Sequence, residues 1–272
     1  MLKSFIADKN RKLSKLATYY IPDLTFANLM KALRKKDVKV NGKRISQDIN
    51  LSIGDKVDIF YDAKVVQMFS VLYKDENILV INKFSGFTSE SVFEKVSKDY
   101  ENASFIHRLD RNTSGIMVFS LSNIATEELL KGFKERTFDK IYTATVVGKM
   151  PKKQDVLTAY LVKDKESALV KIYDKKVQGS VAIKTGYAVL EEQGDISVIS
   201  VTLYTGKTHQ IRAHLAHIGN PILGDGKYGD FEMNSKYNAK SQYLSATKLT
   251  LNFNKTSPLY YLNGKSFTIK GE

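Results

Sequence analysis

Short apolar runs separated by polar turns recur from residue 71 to residue 270, and they constrain the fold more than any other feature of the chain. In the run 140–148, β-branched and aromatic residues alternate between two faces, which is typical of a strand. Further strands are predicted near 156–161, 168–173, 181–190, 196–204, 246–253 and 266–270. Together with the earlier runs these give about nine strands and few helices. We therefore predict an α+β fold with a mixed, mostly antiparallel sheet and flanking helices.

A dense polar segment precedes one of these strands, at 107–115, with the sequence His-Arg-Leu-Asp-Arg-Asn-Thr-Ser-Gly. Its single carboxylate, Asp110, lies between Arg108 and Arg111, and nearby positive charge favours the ionised form of a carboxylate. An isolated Arg-x-Asp is usually an exposed, ion-paired turn. Here the residues 113–115 form a tight turn that leads into a buried strand, a usual place for a functional loop. We predict that Asp110 is a charged carboxylate on such a loop.

A second dense segment is 205–221, and we predict a helix over 208–218 within it. Ile211, Leu215 and Ile218 form one apolar stripe of that helix. His209 and Arg212 are three residues apart and share another face. Arg212 can therefore project from a fixed element toward a carboxylate.

Two other interpretations of this segment are unsupported. Gly206-Lys207-Thr208 resembles the end of a phosphate-binding P-loop, but that motif needs a glycine at position 201, where the chain has valine. We therefore expect no nucleotide cofactor. The three histidines of the segment have neither the spacing of helical metal ligands nor a neighbouring Cys or carboxylate to complete a set. We expect no metal, and a structural or RNA-contacting role for these histidines.

The N-terminal sixty residues form a separate pattern of two helices and a hairpin. Leu13, Leu16, Ala17 and Tyr20 recur at helical spacing, and Thr25 can cap a second helix whose core face contains Phe26, Leu29, Met30 and Leu33. Asn41-Gly42 is a strong hairpin signal. On the second helix and the hairpin, seven basic residues accompany one acidic residue and would follow a phosphate backbone. They are Lys31, Arg34, Lys35, Lys36, Lys39, Lys43 and Arg44.

Charge and composition agree with an RNA-binding protein. The chain of 272 residues has a formal net charge of +13, of which residues 1–62 supply +6 from thirteen basic and seven acidic residues. It has no cysteine, no apolar stretch long enough to span a membrane and no secretion signal, so we expect a cytoplasmic location. We predict an RNA-binding domain at 1–62, a linker at 63–69 and a larger domain at 70–272.

Both domains resemble known families. The segment Lys-Val-Asn-Gly-Lys-Arg-Ile at 39–45, followed by Gly-Asp at 54–55, resembles the RNA-binding domain named after ribosomal protein S-four. In the larger domain the motifs at 107–115, Lys-x-Tyr at 140–142, and Thr-Gly-Lys-Thr-His-Gln-Ile-Arg with Gly-Asn-Pro-Ile-Leu-Gly-Asp-x-x-Tyr-Gly at 205–229 resemble the RluA family of pseudouridine synthases. The resemblance is strongest to members that modify large-subunit ribosomal RNA.

The resemblance implies a role for several residues and no cofactor. Asp110 would be the catalytic carboxylate that detaches uracil from its ribose, either by attack on the anomeric carbon or by removal of a proton from the sugar. Tyr142 would stack on the base and assist loss of the C5 proton, Arg212 would pair with Asp110, and Arg108 would hold the nucleotide out of its helix. We also predict RNA contacts for His107, Arg111, Lys140, Lys207 and His209.

The chain departs from the family pattern at four places. Phe84 replaces a common proline, Lys207 a frequent arginine and Ser245 a frequent histidine, and the segment between Gly86 and His107 is short. These departures bear on substrate choice. We predict a monomer that isomerises uridines in structured RNA, most consistent with large-subunit ribosomal RNA; a transfer-RNA enzyme and a non-catalytic ribosome-assembly factor are the alternatives.

Overall fold

The computed structural model describes residues 1–21, 24–61, 67–164 and 169–271. It divides into two compact units, Met1–Gln67 and Met68–Glu272. Positions 63–66 of the predicted linker lie outside the described residues, and a strand begins at its last residue, Phe69. No helix in the described ranges is long and apolar enough to cross a membrane.

In its described residues the first unit contains two helices and six strands. Its helices are α1 Leu13–Tyr20 and α2 Phe26–Arg34, and its strands are β1 Leu2–Ile6, β2 Arg11–Lys12, β3 Val38–Val40, β4 Lys43–Ile45, β5 Asn50–Leu51 and β6 Lys56–Phe60. One sheet has the order β1-β6-β3-β4, and β2 pairs with β5.

Local signals explain most of this unit. The Thr25 side chain accepts a hydrogen bond from the Asn28 amide at 3.1 Å and caps α2, as predicted. Asn41 and Gly42 take φ values of 50° and 79°, the conformation that a tight hairpin between β3 and β4 requires. The placement of Phe26 in the core was wrong: it is 59% exposed, because the first turn of α2 faces solvent. No apolar pattern predicts β1, because Phe5 is its one buried residue.

The second unit is built on an eleven-stranded sheet. Its helices are α3 Ser89–Asp99, α4 Asn123–Glu135, α5 Gln210–His217 and α6 Phe231–Lys236, with a short 3-10 helix at Tyr260–Leu262. Its strands are β7 Phe69–Lys74, β8 Ile78–Lys83, β9 Ser104–Phe105, β10 Ser114–Ser120, β11 Asp139–Val147, β12 Gln154–Lys163, β13 Val170–Tyr173, β14 Val181–Gln193, β15 Ile196–Leu203, β16 Leu244–Leu251 and β17 Lys265–Thr268.

The strand order is β13-β12-β14-β15-β11-β16-β10-β8-β7, with β17 beside β16 and β9 beside β10. Among the described pairings, β10 with β16 is parallel and the others are antiparallel. This confirms the predicted α+β class and the mostly antiparallel sheet.

The centre of the sheet is buried on both faces. Successive side chains of a strand point to opposite sides, so Leu79 and Ile81 of β8 enter a core that also contains residues of α3 and α5. Ile78 and Val80 enter a second core with residues of α4 and β17. Every residue of β10 is buried. The loop that precedes β10 is therefore anchored to a strand that is buried along its whole length.

Gly115 allows the parallel crossing at the start of β10. It is paired with Ala246 of β16, and its φ of 119° is one that side-chain-bearing residues rarely adopt. A Cβ atom on Gly115 would lie 2.4 Å from the backbone nitrogen and oxygen of Ala246. Only glycine permits this approach, which fixes the strand that directly follows the Asp110 loop.

Candidate active site

A cavity of about 450 Å³ in the second unit brings the two polar segments together. It is lined by the loop before β10, the junction of α4 and β11, and the loop that leads into α5. Of the residues predicted for the site, eight line this cavity: His107, Arg108, Asp110, Lys140, Tyr142, Lys207, His209 and Arg212. Arg111 is not among the lining residues.

Arg212 links two carboxylates. Its Nη1 donates to Oδ2 of Asp110 at 2.7 Å, although the two residues are 102 positions apart. Its Nε and Nη2 donate to the two oxygens of Asp225 at 2.7 and 2.8 Å. Burial lowers the pKa of Arg212, but the hydrogen bonds and charges of Asp225 and Asp110 outweigh it and raise that pKa above its usual value. A permanently charged guanidinium is thus held against Asp110 by a second carboxylate.

The prediction that Arg108 and Arg111 hold Asp110 in its charged form was wrong. Nη1 of Arg108 lies 3.4 Å from Oε1 of Glu90 in an exposed ion pair, and Nε of Arg111 donates to the carbonyl of Gly86 at 2.9 Å. Neighbouring side chains of this loop project in different directions. The positive partner of Asp110 comes instead from a helix on the far side of the cavity.

Lys83, at the end of β8, anchors the loop that carries Asp110, and the sequence did not predict this role. Its Nζ donates to the carbonyls of Phe84, Phe87 and Arg111 at 3.0, 2.8 and 3.1 Å. The side chain is fully buried, and burial lowers the pKa of Lys83 to about 8, while Asp110 acts in the opposite direction. A lysine at the end of an apolar strand is usually solvent-exposed, so the sequence alone offered no signal for this role.

Two more buried contacts fix the backbone on either side of Asp110. Oγ of Ser89 accepts from the Leu109 amide at 2.9 Å and donates to the Leu109 carbonyl at 2.8 Å. Nε2 of Gln242 donates to Oγ1 of Thr113 at 2.5 Å, and the Thr113 amide donates to the Asp110 carbonyl at 3.1 Å. Nothing in the sequence predicted Ser89 or Gln242, because both meet the loop through the tertiary fold.

The helix that carries Arg212 begins later than predicted. It starts at Gln210 rather than at 208, because His209 has a left-handed backbone with φ 54°. Such a conformation costs a non-glycine residue about 1–3 kcal/mol. The buried Gln210 side chain holds the turn by accepting from Oγ1 of Thr205 at 2.9 Å. His209 then has Nδ1 at 3.0 Å from Oη of Tyr228 and Nε2 at 3.8 Å from Oδ2 of Asp110.

Tyr142 and His107 both contribute uncharged rings to the cavity. Burial, and then the charge of Asp110, raise the pKa of Tyr142 above its usual value, so its phenol keeps its proton. The Val118 amide donates to Nε2 of His107 at 3.1 Å, and the imidazole stacks on Phe133 with 4.4 Å between ring centroids. Burial lowers the pKa of His107 to about 3. His107 is therefore a neutral part of the cavity wall.

Basic side chains surround the rest of the opening. Lys140 donates to the Phe138 carbonyl at 3.4 Å, and burial lowers its pKa. Lys207 is exposed at the edge. Lys134 and Arg136 also line the cavity, although neither was predicted. They lie near the end of α4, where basic residues are common for local reasons and so attract no notice in a sequence.

The other two histidines of the second segment have separate partners. Nδ1 of His214 lies 3.1 Å from Oγ1 of Thr185, and Nε2 of His217 lies 2.8 Å from Oδ1 of Asp174. In the described part of the chain there is no group of three or more His, Cys, Asp or Glu side chains that could hold a metal ion.

The basic residues predicted in the first unit lie around a second cavity, of about 420 Å³. Four of them line it: Lys31, Lys35, Lys39 and Arg44. The other three, Arg34, Lys36 and Lys43, are exposed outside the lining. Phe60 also lines the cavity and is 41% exposed, with Nζ of Lys39 at 5.8 Å from its ring centroid. This surface offers both positive charge and an aromatic face.

Known proteins share sequence and fold with this chain. Residues 68–217 match the family model described as RNA pseudouridylate synthase. The ribosomal large subunit pseudouridine synthase C of Rickettsia conorii is 30% identical over 263 residues, which cover 84% of this chain and 86% of the relative. The protein with the same description from Vibrio parahaemolyticus is 28% identical over 236 residues, which cover 77% of this chain and 74% of the relative.

A shorter relative and two solved structures extend the comparison. The dual-specificity RNA pseudouridine synthase RluA of Yersinia pestis is 33% identical over 196 residues, which cover 65% of this chain and 91% of the relative. Human RNA pseudouridylate synthase domain containing 1 shares the fold at a TM-score of 0.60 and 24% identity, over 66% of this chain and 77% of that one. Human RNA pseudouridylate synthase domain containing 4 also shares the fold, at a TM-score of 0.60 and 22% identity, over 75% of this chain and 88% of that one. The chain belongs to the RNA pseudouridylate synthase family.

Proposed function

We propose that this protein converts specific uridines of large-subunit ribosomal RNA to pseudouridine, with Asp110 as the catalytic carboxylate. One observation carries the assignment of the residue: Asp110 faces a cavity large enough for a nucleotide and is paired with the buried, permanently charged Arg212. The substrate is supported by the names of the relatives from Rickettsia conorii and Vibrio parahaemolyticus.

The reaction moves one bond and needs no external reagent. The bond between C1′ of the ribose and N1 of uracil breaks, the base turns, and a bond between C1′ and C5 forms, while C5 loses its proton and N1 gains one. Asp110 starts the reaction either by attacking C1′ or by removing the proton from C2′, and both routes need the ionised carboxylate. Arg212 donates to Oδ2 of Asp110 at 2.7 Å and so holds the carboxylate in a fixed orientation at the cavity.

Tyr142 and Arg108 are proposed to hold the flipped nucleotide in the cavity. Tyr142 forms part of the cavity wall as a neutral phenol, and we propose that its ring packs against the uracil. Its raised pKa makes a phenolate an unfavourable base for the C5 proton. Arg108 is exposed and pairs with the exposed Glu90, so we propose that it swings out to occupy the space that a flipped nucleotide leaves in an RNA helix.

RNA affinity is assigned to the basic surfaces. We propose that unit Met1–Gln67 is an S-four-like RNA-binding domain and that its cavity, lined by Lys31, Lys35, Lys39 and Arg44, follows the phosphate backbone. At the catalytic cavity, Lys140, Lys207 and the unpredicted Lys134 and Arg136 supply similar charge. A monomeric state and a cytoplasmic location are part of this proposal.

The test uses two unmodified transcripts, one of large-subunit ribosomal RNA and one of transfer RNA. Each is incubated with the protein, digested to nucleosides, and separated chromatographically so that pseudouridine is resolved from uridine. We expect pseudouridine in the ribosomal transcript at a few defined positions. Pseudouridine only in the transfer-RNA transcript would show that transfer RNA, and not ribosomal RNA, is the substrate. Tight RNA binding without any pseudouridine would favour a ribosome-assembly factor.

A further inference from the structure

His209 lies beside the proposed catalytic carboxylate with one ring nitrogen unused. Its side chain is 13% exposed and lines the cavity, and Nε2 is 3.8 Å from Oδ2 of Asp110. That distance is too long for a hydrogen bond. Within the described ranges Nε2 has no hydrogen-bond partner, whereas Nδ1 is engaged by Tyr228.

Tyr228 determines which nitrogen of His209 carries the proton. The Val170 amide donates to Oη of Tyr228 at 2.9 Å, so this oxygen already accepts a hydrogen bond. Burial raises the pKa of Tyr228, and the phenol keeps its own proton. That proton has Nδ1 of His209, at 3.0 Å, as its acceptor. A neutral imidazole that accepts at Nδ1 carries its hydrogen on Nε2, the nitrogen beside Asp110.

The surroundings keep the imidazole of His209 neutral. Burial lowers its pKa, and the nearby Arg212 and Lys227 act in the same direction. Asp110 and Asp225 oppose them without reversing the shift. His209 therefore presents a neutral N–H donor rather than an imidazolium.

A donor of this kind suits the charge that the proposed reaction creates. When the bond between C1′ and N1 breaks, the electron pair stays on uracil, and the negative charge of Asp110 is used to form an ester or to take up a proton. The charge thus moves from the carboxylate to the base. Arg212 is already shared between two carboxylates. An imidazolium could protonate the departing base, whereas the base must stay anionic to attack through C5.

We propose that His209 is a catalytic residue whose Nε2–H donates a hydrogen bond to the departing uracil, and that Tyr228 is the positioning residue that fixes this tautomer. The inference rests on the proposed function and adds a group to its mechanism. The left-handed backbone of His209 is consistent with it, because strained conformations of this kind are often retained where a side chain must be aimed at a ligand. Preorganised donors aimed at developing charge are among the largest contributions to catalysis.

The experiment compares four full-length variants on two RNAs, one with uridine at the target position and one with 5-fluorouridine. Fluorine withdraws electrons and makes the uracil anion a better leaving group, so the reaction depends less on a donor. Single-turnover loss of the intact target nucleoside is followed by digestion and chromatography. The variants are His209→Ala, His209→Gln, Tyr228→Phe and, as the matched control, His217→Ala, which removes an imidazole of the same helix that binds Asp174.

On the uridine RNA, His209→Ala should slow the reaction about 100-fold, the usual effect of removing one such donor. His209→Gln, whose amide nitrogen can replace Nε2, should recover part of the rate, and Tyr228→Phe should give a smaller loss than His209→Ala. RNA affinity and the control should be unchanged. On the 5-fluorouridine RNA the defect of His209→Ala should shrink several-fold.

Two results would overturn the inference: a His209→Ala rate equal to wild type, or equal losses on both RNAs, which would indicate a purely structural role. A wild-type protein that converts neither RNA would instead contradict the proposed function itself. The wild-type measurement therefore distinguishes the two failures.

Discussion

Replacing Asp225 by asparagine tests how Arg212 is held at Asp110. Asp225 is fully buried and binds Arg212 through both of its oxygens at 2.7 and 2.8 Å. Removing one partner of a buried ion pair costs about 3–5 kcal/mol, and because asparagine keeps the volume and one acceptor we expect about 3 kcal/mol. For a unit of this size that corresponds to a fall in Tm of roughly 6–12 °C.

The same substitution should reduce catalysis. The asparagine no longer supplies the negative charge that orients Arg212. A displacement of about 1 Å at a reacting group can lower the rate 100-fold. We therefore expect kcat to fall about 100-fold while RNA affinity is retained, because Asp225 is inaccessible to RNA. Thermal unfolding and single-turnover isomerisation, measured at a temperature where the variant is folded, check the two effects.

The pH dependence of stability tests the role of Asp225 independently. Burial raises the pKa of Asp225, but the hydrogen bonds and charge of Arg212 outweigh it and lower that pKa below its usual value. The unfolded chain thus takes up the proton first as pH falls, and the stabilisation is present above the usual carboxyl pKa and lost below it. Asp225→Asn should show a shallower loss of stability in acid than wild type.

The matched control is Asp174→Asn, the same change at an exposed residue that pairs with His217. Exposed pairs contribute little, so its stability should stay within about 1 kcal/mol of wild type and its rate should be unchanged. The reasoning is refuted if Asp225→Asn keeps wild-type stability and kcat, or if the two variants behave alike.

Three further outcomes are expected. Gly115→Ala should destabilise the second unit by at least about 3 kcal/mol in chemical denaturation, because the clash with Ala246 and the backbone strain add. Burial lowers the pKa of His214 to about 4, so the unfolded state binds the proton first as pH falls below about 6.5, and stability decreases. Between pH 7 and 5 this group should cost wild type about 2 kcal/mol, and His214→Asn should be correspondingly less sensitive in denaturation at the two pH values. Lys31→Ala should reduce the slope of log RNA affinity against log salt by about one in binding titrations; an unchanged slope would place the RNA elsewhere.

Most strands of the sheet were predictable because each carries its own signal, whereas β9, with only two residues, is too short to carry one. Runs such as 140–148 alternate apolar and polar residues and need no knowledge of their neighbours to be identified as strands. The start of α5 was predicted two residues early, since the left-handed turn at His209 depends on buried hydrogen bonds of Gln210 with Thr205 and Lys207. Those contacts arise only once β15 and α5 are in place.

The site was predictable where its residues carry a motif and not where they act through the fold. Arg212 was placed toward a carboxylate from its helical position, whereas the two arginines next to Asp110 in sequence were wrongly given that role. Lys83 and Gln242 reach the loop from other strands or loops, and no local pattern connects them with Asp110. Local charge in a sequence is thus a poor guide to the partner of a side chain in the folded site.

The central claim is that Asp110 initiates the isomerisation of uridine, and the most direct measurement is tritium release. Large-subunit ribosomal RNA labelled with tritium at uracil C5 is incubated with wild type, Asp110→Asn and the control Asp174→Asn, after RNA binding by each has been verified. The account predicts release by wild type and by the control, and none above background by Asp110→Asn. Release by Asp110→Asn at the wild-type rate would contradict it.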